Sequence, residues 1–117
     1  MNFKELMDGR KYRSWVSDLS GKSGVYVIRE KGLFGGIVYI GESHTGRLKN
    51  TLLRHFQHWT GPTKGPTFAR SKVEVAVVPT RKDRAVELQN KLIAEHSPKL
   101  NEIGKPGFWD WLKGSNE

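Results

Sequence analysis

The stretch Gly24-Val25-Tyr26, followed after a glycine-containing turn by Val38-Tyr39-Ile40-Gly41, decides how this chain is read. Each segment is apolar or β-branched in the manner of a strand. Gly32, Gly35 and Gly36 between them supply the backbone freedom that a hairpin connection needs. The pattern predicts strands over 24–30 and 36–41, with Tyr26 and Tyr39 on neighbouring strands.

Upstream, residues Asn2 to Leu19 mix apolar and basic side chains and are expected to form a helix or two. Downstream, Leu48, Leu52, Phe56 and Trp59 recur at helical spacing and predict a helix from Arg47 to Trp59. Gly61-Pro62, Gly65 and Pro66 mark a loop. Lys72 to Val78 reads as a third strand that Pro79 ends, and a helix is expected from Arg81 or Asp83 to His96. The sum is an α+β fold, a small three-stranded, largely antiparallel sheet flanked by helices, in one domain over 1–117. A core at 22–103 carries an N-terminal helical extension and an aromatic C-terminal tail, Phe108-Trp109-Asp110-Trp111-Leu112. Such a tail completes a small core more often than it stacks on bases.

Composition narrows the function. At 117 residues the chain has room for one core. The lack of cysteine excludes disulfides, thiolate catalysis and cysteine-ligated zinc. Apolar runs such as Val75 to Val78 are far too short to span a bilayer, and Met1 to Arg10 holds no signal-peptide apolar stretch. A cytoplasmic protein with no membrane partner is expected. The formal net charge of +8 points to a polyanion, because each phosphate neutralised releases condensed counterions.

Further residues stand in a telling order. Arg54 and His58 are four apart, and Leu92-Ile93, Pro98 and Asn101 follow. With the two tyrosine segments, this set resembles the GIY-YIG nuclease family over residues 22–103; the first tripeptide reads G-V-Y and the second Y-I-G. The resemblance implies a DNA endonuclease that hydrolyses phosphodiester bonds with one divalent ion, Mg²⁺ or Mn²⁺. It implies that Tyr26 and Tyr39 border the scissile phosphate, and that one of them, Tyr26 ahead of Tyr39, positions or deprotonates the water. A phenol with its usual pKa of about 10 is a poor base at neutral pH, so it needs a nearby cation or imidazole, and His58 is the candidate relay. Arg54 would hold the phosphate through its fork of donors. Gly41 would let the backbone approach the substrate. Asn101 would orient the site by hydrogen bonding, with the backbone around Tyr26 as the candidate partner.

Position 89 departs from the family. Counting back from Leu92 and from Asn101 to the metal-binding glutamate of the family lands on Gln89, and the nearest acid is Glu87. At about 100° per residue, Gln89 falls among Ala85, Leu88, Leu92 and Ile93, whereas Glu87 lies about 200° away and faces water. A carboxamide is a much weaker partner than a carboxylate for a hard ion. Three explanations stand open: an introduced substitution, a naturally silent descendant, or recruitment of another acid such as Glu42. The rival reading is a non-cleaving DNA-binding module of the same fold.

On the helix expected at Arg47 to Trp59, Arg47, Arg54 and His58 fall within about 40° of one another and form a candidate phosphate-facing stripe. A solvated cationic face is the plainer alternative. Lys64 and Arg70, in the loop from Thr60 to Arg70, are further candidates for DNA contact, although the glycines and prolines there equally suit a connector. His55 sits nearer the apolar side and reads as a packed histidine.

Overall fold

The two tyrosine segments form the predicted hairpin, and a third strand completes the sheet. A computed structural model describes residues 1–32, 35–62 and 64–103, so the aromatic tail lies outside the described residues. In chain order the elements are β1 (Met7–Asp8), β2 (Lys11–Tyr12), α1 (Ser14–Ser17), β3 (Ser23–Glu30), β4 (Ile37–Ser43), α2 (Leu48–Leu53), β5 (Val73–Thr80), α3 (Ala85–His96) and α4 (Lys99–Ile103). Short 3-10 turns occupy Arg54–Phe56 and Lys82–Arg84. The main sheet runs β4-β3-β5, antiparallel throughout.

Alternation along β3 divides the core into two layers. Tyr26 and Ile28 point to the side covered by Leu6, Val16, Leu48, Leu52 and Phe56. Val25 and Val27 point to the other, where Ile40 and Ala76 meet Leu88, Leu92 and Ile93. Each fully buried Val, Leu or Ile contributes roughly 1.5–3 kcal/mol, so the sheet is held from both faces. The central strand is accordingly buried from Ser23 to Ile28.

Both motif glycines are required by close approach. At Gly24, with φ +154°, a Cβ would come within 2.4 Å of the Val78 carbonyl oxygen across the sheet. At Gly41, paired with Tyr26, a Cβ would lie 2.3 Å from the phenol carbon and hydroxyl of that tyrosine. The space beside Gly41 is therefore filled by the Tyr26 ring.

Several local expectations change for identifiable reasons. The N-terminal segment is a hairpin followed by one helical turn, not a helical extension. Gly9 takes a left-handed φ of 63° between β1 and β2, and Lys4 pairs its backbone with Val75 along the edge of β5. Strand β5 runs through Pro79, because an edge strand tolerates a residue without an N–H donor. The helix expected from Arg47 to Trp59 stops at Leu53, tightens into a 3-10 turn and is extended at Gln57. Phe68 N–H donates to the His55 carbonyl at 2.6 Å, occupying the acceptor that an α-helix would offer to Trp59. Arg47, Arg54 and His58 thus do not share a helical stripe.

Candidate active site

Strand pairing brings the tyrosines together. Tyr26 faces Gly41 and Ile28 faces Tyr39, so both phenols project from the same face, with ring centroids 6.3 Å apart. The 3-10 turn after α2 then delivers an imidazole between them. Tyr26 O–H donates to His55 Nε2 at 2.6 Å, and His55 Nδ1–H donates to the Pro66 carbonyl at 2.7 Å. A carbonyl can only accept, so the second bond fixes the tautomer and leaves Nε2 free to accept the phenol proton. The same ring packs on Tyr39 at 4.7 Å and meets the Trp59 indole edge-on at 4.9 Å.

Burial sets the protonation states. His55 is fully buried, which pushes its pKa below the usual value, partly offset by its bond to Pro66. Tyr26 is raised well above an ordinary phenol by burial first, then by Tyr39 and Glu42. Tyr39, which is half-buried, is raised by burial alone. Near neutral pH the site is a neutral imidazole between two protonated phenols.

A pH dependence of stability follows. The unfolded chain protonates this histidine near its ordinary pKa of about 6.5 and the folded chain only below it, so stability is present above that value and is lost as the pH falls through it. For Tyr26 the folded chain keeps a proton that the unfolded chain releases near pH 10, so stability is lost again above about pH 10. Melting curves from about pH 7 to about pH 5 should show a decline, limited by one proton to about 1.4 kcal/mol per pH unit, that His55→Gln flattens. An unchanged slope in that variant would assign the decline elsewhere.

The remaining predicted residues have the following places. Arg54 and His58 are exposed and line one hollow with Gln57, Trp59 and Thr60. The imidazole bonded to Tyr26 is thus that of His55, not His58. Asn101, in α4, accepts from Ile40 N–H at 2.8 Å and donates to the Ile40 carbonyl at 2.7 Å, fixing β4 between Tyr39 and Gly41. Arg47 is exposed at the start of α2, and Lys64 is exposed in the following loop. The Arg70 guanidinium lies 5.3 Å from the Tyr12 ring centre.

The donor set does not fit a hard divalent ion. Gln89 is half-buried on α3 and presents a neutral carboxamide, while Glu87 is exposed and paired with Arg84 at 3.1 Å. Glu42 is half-buried, and its carboxylate accepts from His44 Nδ1–H at 3.0 Å. Among the described residues, no group of three or more acidic, histidine or cysteine side chains is placed to hold a metal. Nor, among them, is any helix long and apolar enough to cross a membrane.

Pro66 and Trp59 carry no site signal in the sequence, and His55 reads there as a packing residue. The apolar position that marked His55 as a packing residue is the same feature that carries it to Tyr26.

No protein-family model matches the chain. It is 30% identical over 95 residues to UvrABC system protein C of Francisella tularensis subsp. holarctica, covering 80% of this chain and 15% of that protein. It is 28% identical over 90 residues to UvrABC system protein C of Methylococcus capsulatus, covering 76% of this chain and 14% of the relative. The chain therefore spans about one seventh of the length of these curated relatives. With the tyrosines on paired strands, the glycine beneath Tyr26 and Asn101 locked to the strand between them, the chain has the features of a GIY-YIG nuclease domain, the kind of domain its UvrC relatives contain.

Proposed function

We propose that this chain is a DNA-directed domain of endonuclease type that engages a phosphodiester beside Tyr39, and whose cleaving step is disabled in this form by the Gln89 carboxamide. The observation that carries the reading is the imidazole of His55, hydrogen-bonded to Tyr26 and packed on Tyr39. Tyr26 is 1% exposed with its hydroxyl committed to His55, so it acts as a positioning residue. Tyr39 has the access to meet substrate. Its pKa, raised by burial, keeps it protonated, which makes it a hydrogen-bond donor to a phosphate oxygen or a bound water. Arg54 adds a planar cationic fork at the exposed rim. Arg47, Lys64 and Arg70 supply positive charge that DNA would meet through its backbone. In the family pattern the residue at position 89 would hold a divalent ion, which would supply charge compensation for the phosphate; Gln89 offers only a neutral carbonyl there.

A second reading, a DNA-binding module that never cuts, is favoured by the same carboxamide together with two phenols held protonated. The two separate in one assay on supercoiled, branched and linear DNA with Mg²⁺ or Mn²⁺. The chain as written should bind with an affinity that falls steeply with salt and should not nick. Gln89→Glu should gain metal-dependent nicking, at least about tenfold above the parent, and lose it again when combined with Tyr39→Phe or Arg54→Ala. Salt-sensitive binding with silence from both proteins would select the module. Failure of either protein to bind DNA would reject both readings.

A further inference from the structure

The hollow beyond the tyrosines has a composition that phosphate binding alone does not explain. It is lined by Arg54, Gln57, His58, Trp59 and Thr60, with no carboxylate among them. Trp59 is held in place. Its ring meets His55 edge-on at 4.9 Å, and the Arg54 guanidinium stands 5.8 Å from its centre. Gly65 backs it closely enough that a Cβ there would come within 2.9 Å of both the indole and His55.

Because His55 also packs on Tyr39, the rings of Tyr39, His55 and Trp59 form a continuous row from the candidate active site into the hollow. A cationic fork, an imidazole, a carboxamide, a hydroxyl and an indole are the groups that together suit one nucleotide. The guanidinium and the imidazole match its phosphate, the amide and hydroxyl match a base edge, and the indole, with Arg54 over one face, offers a ring on which a base can stack. A base inside a paired duplex cannot present its face to such a ring, whereas an unpaired one can.

We infer that this hollow receives a single unpaired nucleotide of DNA, stacked on Trp59 beside the phosphodiester engaged at Tyr39. The inference rests on the DNA reading given above and adds the class of substrate, DNA interrupted by an unpaired base. It makes Trp59 a specificity residue and gives Gln57 a contact to the base.

The test uses the whole chain and two short DNA duplexes, one fully paired and one with a one-nucleotide bulge carrying 2-aminopurine. The bulged duplex should bind about tenfold more tightly, and the fluorescence of its 2-aminopurine should be quenched on binding. Trp59→Ala should bring the ratio of the two affinities close to one, Trp59→Phe should keep most of it, and Gln57→Ala should reduce it. Equal affinity of the parent chain for both duplexes, without quenching, overturns the inference while leaving DNA binding standing. Binding to neither duplex rejects the DNA reading itself. Should Trp59→Ala fail to fold, the unmodified chain's fluorescence and the Gln57→Ala ratio decide the matter.

Discussion

Replacing His55 with alanine should destabilise the domain by about 4 kcal/mol. Two effects combine. A fully buried ring that packs on Tyr39, Trp59 and Phe68 would be removed, and losses for buried aromatic rings are about 3–5 kcal/mol. The Tyr26 hydroxyl and the Pro66 carbonyl would also lose their partner, at about 1–3 kcal/mol for a buried group left unsatisfied. The two contributions overlap, because the ring makes the bonds, so they are not summed. Against a typical total of about 5–15 kcal/mol, such a loss brings the domain close to its limit and lowers Tm by roughly 10–20 °C. Thermal unfolding measures it directly. His55→Gln, which keeps a donor and an acceptor on a smaller side chain, should recover part of the loss. If His55→Ala shifted Tm by less than about 3 °C, the imidazole would not be the keystone between the tyrosines that its contacts imply.

Gly41→Ala should cost nearly as much through the opposite cause. The added methyl would stand 2.3 Å from the Tyr26 Cζ and hydroxyl oxygen and 2.8 Å from Cε2. The ring has nowhere to retreat, since it is 1% exposed and its hydroxyl is bonded to His55. Overpacking of this kind costs about 1–3 kcal/mol, and pushing the phenol off Nε2 adds the penalty of an unmade buried bond, about 1–3 kcal/mol more. A double-mutant cycle with Tyr26→Leu, which opens room for the methyl, isolates the clash. The pair should be less destabilised than the sum of the single changes by about 1 kcal/mol or more, whereas strict additivity would contradict the geometry.

The two substitutions locate what could be read in advance. The hairpin, its tyrosines and its glycines were legible because strand periodicity is local: alternate residues share a face whatever lies beyond them. The position of Gln89 on the inner side of α3, with Glu87 outside, followed from helical geometry in the same way. The stripe of Arg47, Arg54 and His58 was not legible, because the helix ends where a backbone group from the distant Phe68 takes a carbonyl. Nothing within residues 47–59 announces that bond. Asn101 was recognisable as an orienting residue, but its partner, the backbone of Ile40, lies sixty-one residues away and was found only through the packing of α4 along β4.

The sequence by itself determined an α+β domain with paired tyrosines on neighbouring strands, a basic surface, and an amide where the family pattern carries a metal-binding acid. These properties depend on residue type and short-range spacing, which the chain states outright. Only the tertiary structure decided which histidine serves the tyrosines, which tyrosine is sealed and which retains access, and which ring lines the hollow beside them. Those outcomes depend on contacts between segments far apart in the chain, where one hydrogen bond from a loop redirects a helix and exchanges the roles of two histidines three residues apart.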